Sequence, residues 1–274
     1  MTIRLVEIVS GGYSSLQLPL QDPSQGYYIQ EIEGLTPVEA SIVTTKTATR
    51  NGVQYQASSQ EGRSIVLHLG LDPDYISNTA ASLRRALYAR LMPGREVTLR
   101  FTMDNHPIVE IVGRVESFQA AIFSQDTDSV VSILCMDPDF ISTTLTSFSG
   151  NSTSGTTDSV ITNNGDVPVG FLFTLAVNRT ITEFSIVHSG ADNVLHNMDF
   201  AAPLLAGDIL EINTIPGQKG AWMTRGTARA SVLYGVSPES PYFQLQPGAN
   251  NFRTKIAGAT IPYTVRYTER FGGL

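Results

Sequence analysis

Alternation of apolar and polar residues with a period of two dominates this sequence and constrains its fold more than any other feature. In EVTLRFTM (96–103), every second residue from Val97 to Met103 is apolar and the residues between them are polar. This is the pattern of a half-buried β-strand. IVEIVGRVE (108–116) alternates in the same way, and SVVSIL (129–134) is a short apolar run. Residues 96–134 therefore predict a three-stranded meander.

The second half of the chain repeats this pattern in further segments that are separated by turn signals such as NNGD, PGQKG and PGANN. The predicted strands are VGFLFTLAV (169–177), ITEFSIV (181–187), GDILEIN (207–213), ARASVLY (228–234), SPYFQLQ (240–246) and TIPYTVRYT (260–268). Short strands at this spacing are typical of a sandwich or a barrel. The sequence therefore predicts a mainly β protein.

One segment has the period of a helix instead. ISNTAASLRRALYARLMPG carries apolar residues at spacings of three and four, namely Ile76, Ala80, Leu83, Leu87 and Leu91. This stripe predicts an amphipathic helix over about residues 76–91, capped by Asp74, Ser77 or Asn78 and stopped by Pro93 and Gly94. The arginines off the stripe are Arg84, Arg85 and Arg90. A solvated helix face explains them better than an anion site.

An abrupt change in composition divides the chain. TTLTSFSGNSTSGTTD (143–158) is three-quarters Ser, Thr and Gly and has no apolar periodicity, which favours a linker or a loose loop. The predicted organisation is a first β-sandwich domain at 1–145 that contains the helix, a linker at 146–158, and a second β-sandwich domain at 159–274.

Composition excludes several classes of protein. The chain has 274 residues with 42% hydrophobic content, enough for a packed core, and its single cysteine excludes an internal disulfide. The net charge is −7, with −6 contributed by residues 1–145, so a basic nucleic-acid-binding surface is not indicated. No apolar run approaches the length of a membrane span, and the start of the sequence does not have the pattern of a cleaved export signal. We therefore predict no membrane association.

Residues with catalytic potential do not form a recognisable motif. His68, His106, His188 and His196 are scattered, and no HExxH, CxxC, GxSxG, Walker or GxGxxG pattern occurs. Cys135 is followed by acidic residues, which disfavour a reactive thiolate, so a buried apolar role is preferred. The sequence predicts no catalytic, cofactor-binding or metal-binding residues, no cofactor and no enzymatic activity.

Two similar acidic segments, LDPDYISNT at 71–79 and MDPDFISTT at 136–144, each follow an apolar strand. Aspartates around a proline favour a turn, because their side-chain oxygens accept hydrogen bonds from nearby amides. We interpret both segments as turns, with Cys135 as the last buried residue of the first domain. Calcium bound jointly by Asp72, Asp74, Asp137 and Asp139 is the less favoured alternative.

Trp222 is the one candidate for a contact with a sugar or a partner. It lies in PGQKGAWMTRG, which predicts the end of a hairpin, and an exposed indole there could stack on a sugar ring or on another protein. Partial packing beneath the loop is the alternative, and we prefer it.

The order of these motifs resembles one known family. The segments YYIQEIEGLTPVEASIVTTKTATRNGVQYQ and GRSIVLHLGL, the arginine-bearing helix ended by MPG, and the meander that closes on CMDPDF follow one another in the first half. VITNNGDVPVGFLFTLAV, GDILEINT and FQLQPGANNFRT follow in the second. The set resembles the distal tail proteins of long-tailed phages with non-contractile tails, over nearly the whole chain.

The resemblance implies a structural protein of the virion. It implies a first domain that closes six copies into a ring and a second, galectin-like β-sandwich at the periphery. The ring would join the tail tube protein to a tail-hub or fibre-bearing protein, and would also meet the tape-measure protein. It would let DNA pass without specific binding at the distal end of the tail, after assembly in the host cytoplasm. Acidic residues would limit adhesion of DNA. The alternative function is a carbohydrate-binding module that contacts host glycans through the second domain.

Overall fold

A computed structural model describes residues 2–20, 22–46, 51–121 and 128–274. The chain forms two compact units, and the second is inserted into the first. Unit 1 comprises Met1–Thr143 together with Phe271–Leu274, and unit 2 comprises Thr144–Arg270. The mainly β fold predicted from the sequence is confirmed. No helix in the described ranges is long and apolar enough to span a membrane.

Antiparallel strands build unit 1. They are β1 (Ile3–Ser10), β2 (Leu16–Pro19), β3 (Tyr27–Glu33), β4 (Ala40–Thr45), β5 (Gln54–Gln60), β6 (Arg63–Leu71), β7 (Glu96–Met103), β8 (Val109–Ala120), β9 (Asp128–Cys135) and the beginning of β10 (Phe140–Asn151). The predicted meander over 96–134 corresponds to β7, β8 and β9, with β8 paired to both of the others. The period of two located these strands because one face of each lies in the core.

The main sheet of unit 1 runs in the order β2-β1-β7-β8-β9-β6-β3. Its terminal strands, β2 and β3, also contact each other, so the sheet curls around one core. Fully buried side chains such as Ile8, Leu67, Leu99 and Phe101 fill that core. β4 and β5 stand apart as a separate two-stranded sheet.

The helix of unit 1, α1, spans Ala80–Arg90 and starts later than the predicted residue 76. Thr79 is the N-cap: its side chain accepts a hydrogen bond from the Ser82 amide, and the Ser82 hydroxyl oxygen accepts one from the Thr79 amide. The N-cap is therefore Thr79, and not Asp74, Ser77 or Asn78 as the sequence predicts. Ile76, predicted to lie on the apolar stripe, is 96% exposed because it precedes the helix.

Unit 2 is a sandwich of two antiparallel sheets. One has the order β17-β16-β15-β12-β19 with the later part of β10 beside β19, and the other has the order β11-β18-β13-β14. The strands are β11 (Ser159–Asn163), β12 (Leu172–Ala176), β13 (Ile181–Ser189), β14 (Leu195–Leu204), β15 (Ile209–Asn213), β16 (Gly220–Arg225), β17 (Ala228–Ser231), β18 (Gly248–Lys255) and β19 (Pro262–Phe271). Phe173 of β12 meets Phe252 of β18, with ring centroids 6.3 Å apart, inside a core of aromatic and aliphatic residues.

The segment 146–158, predicted to be a soft linker, is a structured part of the molecule. β10 continues through it to Asn151, and the amides of Ser152 and Thr153 donate to the carbonyls of Ile261 and Thr254 at 2.8 and 2.9 Å. Thr and Ser are compatible with a strand that is half exposed. The low apolar content of this segment therefore reflects its exposure to solvent and not a lack of regular structure. The predicted second domain, 159–274, also differs, because residues 271–274 belong to unit 1.

Candidate functional site

The β4–β5 hairpin of unit 1 exposes several apolar side chains. Every residue of both strands is exposed, including Ile42 and Tyr55 at 61% and Val43 at 55%. The strands ASIVTT and QYQASSQ contain no charged side chain. An isolated two-stranded hairpin is marginally stable in water, so this hairpin is the element of unit 1 that would gain most from a partner. We call Ala40–Thr45 and Gln54–Gln60 the hairpin surface.

Sequence reasoning did not single out the hairpin surface as a contact site. The signal was present: Asn51 and Gly52 lie between two strand-like runs, and Asn-Gly favours a tight turn in a hairpin. Gly52 adopts a φ of +92°, a backbone conformation that residues other than glycine rarely adopt. What the sequence alone could not show is that neither face of this hairpin packs on its own unit.

A buried arginine holds distant parts of unit 1 together. Arg63 is 2% exposed and donates hydrogen bonds to the carbonyl oxygens of Pro138 (2.7 Å), Gly34 (2.6 Å), Thr36 (2.7 Å) and Gly272. We call these five residues the Arg63 cluster. Gly34 has a φ of +83°, and a Cβ there would lie 2.0 Å from the Ser64 carbonyl oxygen, so only glycine fits. The cluster brings the returning segment 271–274 into unit 1.

The surroundings of Arg63 also determine the chemistry of Cys135. The guanidinium lies 4.5 Å from the Phe140 ring centroid. Burial raises the pKa of the Cys135 thiol to about 11, and Arg63 only partly opposes that rise. The thiol is therefore protonated at neutral pH and packs as a small apolar group. It is not the last buried residue of the unit, since Phe140 and Ser142 are buried beyond it.

The two acidic segments form local turns. Asp74 accepts hydrogen bonds from the amides of Ile76, Ser77 and Asn78 at 2.8 to 3.0 Å and from the Ser77 hydroxyl. These bonds, led by the one from the Ser77 hydroxyl, lower the pKa of Asp74 to about 2. Asp137 accepts from the Asp139 amide at 3.3 Å. Within the described ranges, the four aspartates of these segments do not gather into a group of three or more metal-ligand atoms.

Unit 2 contains a buried neutral network around His188. Asn250 donates to the carbonyls of Gln246 and Gly248, so its Oδ1 is the acceptor for the Gln246 amide and for His188 Nε2, each at 2.8 Å. The rings of His196 and Phe243 stack with His188 at centroid distances of 5.9 and 4.8 Å. We call these residues the His188 cluster. The spacing of His188 and His196 thus serves packing.

His188 Nδ1 is buried without a hydrogen-bond partner among the described residues. Burial lowers the pKa of this imidazole, and the nearby His196 acts in the same direction, whereas Asn250 and Asp192 oppose the shift. Since Nε2 carries the proton donated to Asn250, Nδ1 holds the lone pair. The network therefore requires a neutral His188.

Trp222 lies within β16 and not at the end of a hairpin. The Arg229 guanidinium sits 5.1 Å from its ring centroid, and a Cβ on Gly220 would lie 2.5 Å from the indole edge. Arg229 is held in turn by Glu211 at 2.8 Å. Packing between Gly220 and Arg229 accounts for the partly buried indole.

Comparison with known protein families finds a match within unit 2. Residues 164–271 match the family model described as "Siphovirus-type tail component, C-terminal domain". This part of the chain is therefore similar to the C-terminal domain of siphovirus-type tail components. The predicted resemblance to distal tail proteins is confirmed by this match to the tail-component model. No curated protein sequence matches the chain.

One solved tail structure shares the fold of this chain. The crystal structure of the SPP1 Dit (gp 19.1) protein, described as a paradigm of the hub adsorption apparatus in phages that infect Gram-positive bacteria, superposes with a TM-score of 0.66 at 17% identity. The match covers 97% of this chain and 99% of that one. The phage p2 baseplate in its activated conformation with Sr gives a TM-score of 0.45 at 9% identity, over 97% and 98% of the two chains.

Proposed function

We propose that this protein is a structural distal tail hub of a long-tailed phage, located in the virion at the distal end of the tail. The observation that carries the proposal is the family match of residues 164–271, joined to a fold shared over 97% of the chain with SPP1 Dit. The role is one of assembly without catalysis. Six copies would form a ring that joins the tail tube to a tail-hub or fibre-bearing protein and leaves a passage for DNA.

The hairpin surface supports self-association. It exposes aliphatic and aromatic side chains on strands without charge, so a partner would cover it mainly by apolar contact and main-chain pairing. A closed ring of identical copies offers every subunit the same cover, which an open contact would not do. We therefore assign the hairpin surface to the contact between copies of this chain.

Particle mass tests the ring directly. Light scattering and negative-stain imaging of the purified full chain are expected to give a ring with six times the mass of one chain. A stable monomer at micromolar concentration would contradict the hub assignment. A ring with another number of subunits would contradict the hexamer alone.

Point substitutions test the place of the contact. The double variant Ile42→Thr with Val43→Thr keeps the strand propensity and removes exposed apolar area, so it should dissociate the ring at least tenfold more readily. Val160→Thr is the matched control, because Val160 is also on a strand and 56% exposed but belongs to unit 2. Circular dichroism should show the folded state in both. An intact ring in the double variant would remove the hairpin surface from the contact.

A further inference from the structure

Three metal-ligating side chains converge on the outer face of the unit 1 sheet. Glu31 and Glu33 of β3 and His68 of β6 each offer one ligand atom, and these atoms all lie within 4.8 Å of one another. His68 Nε2 and Glu33 Oε1 are 3.2 Å apart. Within the described ranges, no other group of three His, Cys, Asp or Glu ligand atoms converges this closely. We call this group the Glu-Glu-His triad.

A β-bulge creates this convergence. Ile29 pairs with Leu69, but the next pair is Glu31 with His68, so Gln30 is the extra residue in β3. Without the bulge, the alternation of strand faces would place Gln30, and not Glu31, opposite His68. With the bulge, Glu31 lies directly across from the imidazole and Glu33 lies diagonally across, both on the outer face. The backbone itself therefore aligns three ligands.

The carboxylates of the triad are not neutralised by an arginine, unlike those of a comparable group on the same sheet. Glu7 and Glu110 also flank a central residue, but there Arg100 bridges them at 3.0 and 3.2 Å. Among the described residues, no lysine or arginine forms an ion pair with Glu31 or Glu33, whose one basic neighbour is His68. Two carboxylates beside an imidazole in place of a guanidinium retain net negative charge, and a divalent cation would neutralise it.

We propose that the Glu-Glu-His triad binds a divalent transition-metal cation of the Zn²⁺ class. An imidazole nitrogen favours zinc and its neighbours in the transition series over Ca²⁺ and Mg²⁺, which prefer oxygen ligands. The carboxylates are exposed and His68 is partly exposed, so small rotations bring all three ligands to one ion, and water completes the coordination. The ion ties β3 to β6 across the bulge.

Calorimetric titration of the full chain with ZnCl₂ at pH 7.5 tests the proposal, with Co²⁺ absorption spectra as a second readout of nitrogen and oxygen ligands. One equivalent per chain should bind, and His68→Gln and Glu33→Gln should each weaken binding at least tenfold. Glu116→Gln is the matched control, since Glu116 is an exposed carboxylate on the same sheet that already accepts from Ser132 at 3.0 Å. Its affinity should equal that of the unmodified chain.

Three results would overturn the proposal. The first is no saturable Zn²⁺ binding up to millimolar concentration. The second is an affinity unchanged in His68→Gln, which would locate binding elsewhere, for instance at His188 and His196. The third is displacement of Zn²⁺ by an equal concentration of Ca²⁺. Ring mass is measured on the same samples, so failure of the metal site and failure of the hub assignment remain separate results.

Discussion

Each of the two units contains a buried polar cluster, and the two clusters differ in the charge of the side chain at their centre. The Arg63 cluster places a permanent cation among four carbonyl oxygens that come from three separate segments of unit 1. The His188 cluster uses an amide and an uncharged imidazole, whose partners come from neighbouring strands and the loop before β18. A guanidinium keeps its proton at any physiological pH, whereas an imidazole does not. The Arg63 cluster therefore uses hydrogen bonds from a permanent cation, whereas the His188 cluster depends on the protonation state of an imidazole.

The largest effect should come from removing the cation. Arg63→Met removes the buried cation that donates to four backbone carbonyl oxygens, and hydrogen bonds to a charged group contribute about 1.5–3 kcal/mol each without being additive. We expect unit 1 to lose roughly 3–5 kcal/mol of unfolding free energy. Hydrogen exchange of the β6 amides, followed by mass spectrometry, measures this loss.

The control for that measurement is Arg114→Met. Arg114 pairs with Glu96 at 2.9 Å on the surface, with more than half of each side chain exposed, and such pairs contribute about 0–1 kcal/mol. Trp222, the one tryptophan of the chain, lies in unit 2, so its fluorescence reports that unit separately. Equal losses of stability in both units on Arg63→Met would show that the two units unfold together and that the Arg63 cluster does not stabilise unit 1 separately.

A smaller effect is expected from Asn250→Ala in unit 2. The substitution removes a fully buried side-chain amide. Its oxygen accepts a hydrogen bond from His188 Nε2, and its nitrogen donates to two backbone carbonyl oxygens. We expect a loss of about 2–3 kcal/mol in urea unfolding monitored by Trp222 fluorescence. The exposed neighbour Asn251→Ala should change it by less than about 0.5 kcal/mol. Similar values for both variants would show that the amide network does not stabilise unit 2.

The smallest and most specific effect is a dependence of the stability of unit 2 on pH. Burial holds the pKa of His188 below its usual 6.5, so the unfolded chain takes up a proton first as the pH falls. The stabilisation is fully present above pH 6.5 and is lost progressively below it, down to the folded-state pKa.

Unfolding of unit 2 should therefore need less urea at pH 5.5 than at pH 7.5. His188→Phe should lower the urea midpoint of unit 2 at pH 7.5. It should also reduce the difference between the midpoints at pH 7.5 and pH 5.5. His68→Gln, in unit 1, should leave the pH dependence of the unit 2 urea midpoint unchanged. If the urea midpoint of His188→Phe still falls as strongly between pH 7.5 and pH 5.5, the dependence does not come from His188.

The sequence allowed the strands to be predicted wherever one face is buried. Glu96–Met103 coincides with the predicted segment because its alternation reflects a core on one side and solvent on the other. The same rule failed for β10, whose exposed part carries Thr, Ser and Gly and so resembles a linker. The helix began at Ala80 and not at residue 76 because Thr79 and Ser82 form the capping box, while Asp74 caps the preceding turn.

The polar clusters could not be predicted in the same way. Arg63 reads as an ordinary polar residue at the start of a strand, and its acceptors lie 27 to 209 residues away in the chain. No local pattern encodes such contacts. The Glu-Glu-His triad depends on a bulge, which shifts the strand register by one residue and is invisible to a strict period of two. Long-range pairing and register are the information that the structure adds.

The insertion of unit 2 into unit 1 has a consequence for synthesis. Unit 1 obtains Phe271 for its core and the Gly272 carbonyl for Arg63 only after residues 144–270 have been translated. At about 5–20 residues per second this delay is on the order of ten seconds. Unit 2 has all of its segments before that point. We expect the domain that comes second in the sequence to be complete first, so a prematurely terminated chain would present a finished unit 2 beside an unclosed unit 1.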